Sequence, residues 1–252
     1  MNKSTCVVLL SSILVFVSIA GCAPTSGSDL PAAQVAVTLA PTQTPLPTKV
    51  KVAMPIAVTP FYDSEGPQIS VGSYSQRLGI TDLEALNALA QEMAEQKDVL
   101  TPEEMYVLAI RFYDLGDRDE SVYWYYEAQF RAKLFQQAIE PAQMVRVDEP
   151  TFELTTAYDS FQQLAGDFIN GYAGCDLENW VQITTRVKNA NSKVPELDQI
   201  FPDVLFVDRA QWQLINNEVA AGLGTLIEYI AQNGESIKIQ RSQSDMDSKY
   251  CN

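Results

Sequence analysis

From residue 83 onward, apolar side chains return every three or four positions, the spacing that lines one face of an α-helix. Leu83, Leu86, Ala90 and Met93 make the first such stripe. Thr81-Asp82-Leu83-Glu84 reads as a capping box at its start, so a helix is expected from there to about residue 97. Thr101-Pro102-Glu103-Glu104 reads as a second box, with proline at the first helical position, where a missing N–H is harmless. Met105, Leu108, Ala109, Phe112 and Leu115 follow on one face, and Gly116 is placed to close the helix. A third helix is expected over 119–139, a fourth over 152–170 and a fifth over 177–188, led by Asp176. A long last helix is expected over 209–233, opened by Asp208 with Gln211 three positions on and closed by Gly234. In it Trp212, Ile215, Val219, Leu223, Leu226, Ile227 and Ile230 make a wide apolar face. Gly222 and Gly224, each about 1 kcal/mol worse than Ala there, point either to close packing or to a kink. Elsewhere the period is two: the alternation at 49–53, and 68–71 bounded by Gly66-Pro67 and Gly72, predict short extended segments, and 236–240 predicts a short strand. The expected fold class is therefore mainly α, irregular helical hairpins with a short N-terminal extended segment, because connections this short force consecutive helices antiparallel.

Within the second and third helices, the stretch MYVLAIRFYDLGDRDESVYWYYEAQFRA (105–132) resembles one tetratricopeptide repeat of the kind also seen in Sel1-like proteins. Leu108-Ala109 matches that family's large-then-small apolar pair, Phe112 the aromatic one turn later and Gly116-Asp117 the turn. Ser121, Tyr125 and Ala128 match the small, aromatic and small positions of the second helix. Small residues stand where two helix backbones approach closely, and aromatics fill the wider gaps. The pattern departs from the family at its end, where Lys133 stands near the usual closing proline. A partial echo, QLAGDFINGYAGCDLENWVQ, repeats Leu164-Ala165 and Phe168 but spaces Gly174 too far away, so the domain is read as repeat-like rather than a regular array. The resemblance implies a binding groove lined from the first helix by Glu103, Tyr106, Ile110 and Tyr113. The run Tyr123-Trp124-Tyr125-Tyr126 cannot all face one way on a helix, so one or two of its rings are expected to emerge outside the core.

The N-terminus adds an address. Lys3 precedes an apolar run from Cys6 to Ala20, too short for a comfortable membrane span and followed by small residues, which is the layout of a secretory signal peptide over 1–21. Ile19-Ala20-Gly21-Cys22 resembles the lipobox of bacterial lipoproteins, which implies cleavage before Cys22 and acylation of it. Two or three acyl chains exceed what stable anchoring needs. Ala23, rather than Asp, after the cysteine implies by the same resemblance sorting to the outer membrane, on its periplasmic face. Residues 22–48, with prolines at 24, 31, 41, 45 and 47 and almost no charge, read as a lipidated tether. It reaches about 30 Å as a coil and about 80 Å if polyproline-like. The folded domain is then expected over 49–252. With Cys6 removed and Cys22 lipidated, Cys175 and Cys251 remain as one pair in an oxidising compartment, and a disulfide between them is expected.

Composition narrows the chemistry. The 252 residues contain no histidine, which removes the usual general base, the commonest zinc ligand and every Ser-His or Cys-His nucleophile. No Gly-rich phosphate loop, G-x-S-x-G or S-x-x-K motif occurs. Asp114, Asp117, Asp119 and Glu120 crowd one turn, but their spacing is not that of a calcium loop, and Asp117 and Asp119 sit where helix N-termini favour acids. No catalytic residue, metal or cofactor is therefore expected. A formal charge of -15 disfavours nucleic acid and favours a basic protein partner. The expected function is a lipid-anchored periplasmic protein whose helical domain binds another protein. It is similar to helical-repeat lipoproteins that act as immunity proteins against toxins delivered by type VI secretion. The alternatives are an envelope-assembly lipoprotein and a carboxylate-dependent enzyme of the peptidoglycan wall.

Overall fold

A computed structural model describes residues 71–144 and 149–251. The signal peptide, Cys22, the tether and the expected extended segments at 49–53 and 68–70 lie outside the described residues. Of the second segment Val71 is described: it is extended, then runs directly into a 3-10 turn at Gly72–Tyr74. The described residues are all-α: α1 (Leu83–Glu95), α2 (Pro102–Leu115), α3 (Arg118–Ala138), α4 (Pro150–Ala173), α5 (Leu177–Ala190), the single turn α6 (Leu197–Ile200), α7 (Arg209–Gln243) and α8 (Met246–Tyr250). Their ladder pairing is limited to one isolated bridge, Ile139 with Phe206, which ties the end of α3 to the segment entering α7.

The start signals work at the level of single hydrogen bonds. At α1 the cap is Asp82, one residue later than a Thr81 box implies, and its carboxylate accepts from the Ala85 N–H. The Thr101–Glu104 box forms in full at α2, with the Glu104 N–H bonded to the Thr101 hydroxyl and the Thr101 N–H to the Glu104 carboxylate. Gly116 closes that helix in the left-handed region at φ 92°, a conformation open to glycine at little cost. Asp117, Asp176 and Asp208 cap α3, α5 and α7.

The short Gly116-Asp117 turn folds α3 back along α2. The small residues Ala109, Ser121 and Ala128 are all fully buried, as close helix approach requires. Helix α3 is the centre of the domain, with α2, α4, α5 and α7 all packed against it. This arrangement overturns the expectation for the aromatic run: Tyr123, Trp124, Tyr125 and Tyr126 are all buried, because over 121–128 the helix is covered on every side, although Lys133 and Gln137 further along it are exposed. Their polar atoms are accommodated locally. Tyr126 donates to Asn170 Oδ1 and accepts from Trp180 Nε1, both at 3.0 Å, and Tyr125 donates to the Gln162 carbonyl.

The last third of the chain departs most from its pattern. Helix α7 does not stop at Gly234 but runs 35 residues to Gln243, so the strand expected at 236–240 is helical. Gly234 stays right-handed, and a Cβ there would make ordinary contact with Leu177, so nothing ends the helix at that point. The chain reverses instead at Asp245, in the left-handed region at φ 54°. Gly222 faces open space and Gly224 meets only the end of Lys188, so neither marks close helix packing. Trp212, Val219 and Ile230 are buried along α7, while Leu214, Tyr229 and Ile239 are exposed.

Candidate functional site

The four residues expected to line a groove part company. Glu103 and Tyr106 are 0% and 1% exposed, so neither can meet a partner, whereas Ile110 and Tyr113 are half-buried. The cause is α4, which lies along α2. Phe161 stacks on Tyr106 at 5.4 Å and 7°, and Phe168 meets Tyr113 edge-on at 6.1 Å. The two ring pairs are spaced equally on both helices, so α2 and α4 run side by side in the same direction.

On the α4 side of this seam Leu164 is 75% exposed and Phe168, in contact with Tyr113, 50% exposed; on the α2 side Ile110 and Tyr113 are half-buried. Leu164 and Phe168 are one helical turn apart, so they present one continuous apolar strip. Its rim is charge-balanced. Asp114 pairs with Arg111 at 2.9 Å, Asp167 with Lys249 at 3.4 Å, and the Arg118 guanidinium lies 5.2 Å from the Tyr113 ring centre. Leu164 and Phe168, the positions that recur in the partial echo at 163–182, both face solvent, while Ala165 beside them is buried.

On helix α2, Glu103 is a fully buried carboxyl. Neither of its oxygens, nor the neighbouring Tyr158 hydroxyl, makes a hydrogen bond of good geometry. Burial pushes its pKa up to about 7. Its own backbone N–H, Thr101 and Tyr158 pull weakly the other way, and the charge of Glu104 adds to the rise. Tyr158, for its part, is pushed well above the usual phenol range by burial and by Glu103. A second buried carboxylate is better served: Glu127 takes Lys97 Nζ at 2.7 Å and Asn191 Nδ2 at 2.8 Å. Arg131 beside it bonds the carbonyls of Leu100 and Lys97, and burial lowers its pKa to about 10. This network fastens α3 to the turn after α1 and to the end of α5.

The acids crowding the α2–α3 turn disperse to separate partners. Asp114 binds Arg111, Asp117 caps α3, Asp119 accepts from Tyr172 and Asn179, and Glu120 pairs with Arg186. Among the described residues no group of three or more His, Cys, Asp or Glu is arranged to hold a metal ion. A cavity of about 30 Å³, lined by Asp119, Tyr172, Asn179 and Trp180, has room for about one water molecule, far less than a substrate needs. Cys175 and Cys251, 76 positions apart in the chain, are joined in the expected disulfide.

No protein family and no solved structure matches the chain. It is similar to an uncharacterized protein of Haemophilus influenzae, 27% identical over 127 residues. The match covers 49% of this chain and 47% of that relative, so the chain spans about half the length of the curated protein it matches.

Proposed function

We propose that this chain is a lipid-anchored envelope protein whose helical domain docks a second, basic protein on the α2–α4 seam. The observation that carries the reading is the strip of exposed Leu164 and Phe168 and half-buried Ile110 and Tyr113 along two parallel helices. An anchor residue such as Leu164, 75% exposed on a well-packed helix, gives a partner apolar contact with little ordering cost. Because the rim itself is balanced, preference for a basic partner comes from the long-range field of a chain with 32 acidic and 17 basic residues. Burial of Ala109, Ser121 and Ala128 between α2 and α3 supports the repeat-like reading. The lipobox-like run ending at Cys22 supports the anchor. The narrower reading is an immunity protein that neutralises a toxin delivered to the periplasm.

The experiment has two arms. Cys22→Ala should abolish acyl labelling and leave the chain either retained with its uncleaved signal or released as soluble material; labelling that persists refutes the anchor. Leu164→Glu should weaken capture of a basic periplasmic protein by at least about tenfold, while Leu214→Glu, on the exposed face of α7, leaves it unchanged. Capture lost equally in both variants, or insensitive to both, refutes the seam. If the captured protein kills cells that lack this chain and spares those that express it, the immunity reading stands.

A further inference from the structure

We propose that the Cys175–Cys251 disulfide is an exchangeable latch on α8, opened by a protein dithiol and activated by Arg241. The inference is independent of the docking reading, although the segment it releases closes one end of the seam. Helix α8 has five residues, too few to persist without tertiary support. Apart from the disulfide it is held by two ion pairs, Asp247 with Arg241 and Lys249 with Asp167, and by Tyr250, its one buried side chain. The Tyr250 ring lies against Gly171, where any Cβ would collide with it, and its hydroxyl donates to Asp167 Oδ2 at 2.7 Å. Phe168 meets it edge-on at 6.2 Å, and the Arg118 guanidinium donates to the Tyr250 carbonyl.

The surroundings of the sulfurs favour exchange in one direction. Arg241, at the end of α7 and almost fully buried, donates from Nη2 to both Sγ atoms at 3.3 Å, while its Nε is held by Asp247 at 2.8 Å. A guanidinium at that distance stabilises whichever sulfur leaves as thiolate. Asp247 breaks the symmetry: its Oδ1 lies 3.7 Å from Cys251 Sγ, which disfavours negative charge there and makes Cys175 the better leaving group. Access agrees, since Cys251 is exposed and Cys175 half-buried. An incoming thiolate therefore attacks Cys251 Sγ. The S–S bond breaks, its electron pair goes to Cys175 Sγ beside Arg241, and Cys251 carries the mixed disulfide. The second thiolate of the same dithiol then displaces Cys251, so the reductant is oxidised to its disulfide as the chain gains two electrons. Freed of the covalent link, Tyr250 leaves Gly171 and uncovers Phe168.

Dithiothreitol serves as the probe dithiol and glutathione as a trap. With limiting glutathione and rapid alkylation, peptide mapping should find the adduct on Cys251 and the alkyl group on Cys175; the reverse pattern overturns the proposal and needs no variant. The second-order rate of reduction by dithiothreitol should fall about threefold or more in Arg241→Gln and stay near the native rate in Arg241→Lys. If Arg241 merely fastened α8, its loss would loosen the segment and speed reduction, so a faster Arg241→Gln overturns the proposal. Hydrogen exchange on the reduced native chain should lose protection over 246–251 while α3 and α5 retain theirs. Unchanged protection of α8, or loss throughout the domain, overturns the latch.

Discussion

Replacing Glu103 with Gln should stabilise the domain, and by an amount that depends on pH in a way set by the burial of one carboxyl. Glu103 is fully enclosed, with both oxygens lacking a well-formed hydrogen bond, and burial raises its pKa to about 7 from an ordinary 4.5. In the folded state it therefore holds its proton where the unfolded chain has already released it. Unfolding then releases protons between those two values, so stability falls as pH rises from about 4.5 to about 7 and is level above. At about 1.4 kcal/mol for each pH unit, the ionised form costs the fold about 3 kcal/mol at pH 8. Gln has the same shape and no proton to lose. Near pH 4.5 the variant should match the native chain, and at pH 8 it should be more stable by up to about 3 kcal/mol, or about 6–12 °C in Tm for a domain of this size. The assay is a set of paired thermal or urea melts between pH 4.5 and 8.5, read as the difference between the two chains so that other titrating groups cancel. A difference that does not change with pH, or a variant less stable at pH 8, refutes the account of a desolvated carboxyl.

Two further outcomes separate core from surface. Tyr106→Ala should cost roughly 3–5 kcal/mol, because the ring is buried between Phe161 and Tyr125, whereas Leu164→Ser should shift stability by less than about 0.5 kcal/mol; equal losses in denaturant melts would contradict the packing of α4 on α2. Lys97→Met should cost about 3 kcal/mol, since it takes the direct ion-pair partner from the enclosed Glu127 carboxylate and leaves it Asn191 and the more distant charge of Arg131; a loss under about 1 kcal/mol in urea would show that the ion pair is not needed.

What the chain determined by itself is local and periodic. The caps at Thr101, Asp117, Asp176 and Asp208 place helix starts to within a residue or two, because a side-chain oxygen reaching an N–H two or three positions on is a contact within one turn. Gly116 ends α2 for an equally local reason, and the cysteine pair followed from there being one connectivity for two thiols. Which faces are covered was a different matter. A stripe such as Tyr106, Ile110 and Tyr113 says that a face exists, but whether a neighbour lies on it depends on α4, more than forty residues later in the chain, whose own pattern says nothing about its partner. The same dependence buried all four rings of 123–126 at the centre of the bundle and left Leu164 and Phe168 in solvent. Gly234 likewise ends a helix only if the backbone finds a better use for its N–H and carbonyl groups elsewhere. Tertiary anchoring of the far end, through Arg241, Tyr250 and the disulfide, kept α7 helical to Gln243, and no residue within a turn of Gly234 carries that information.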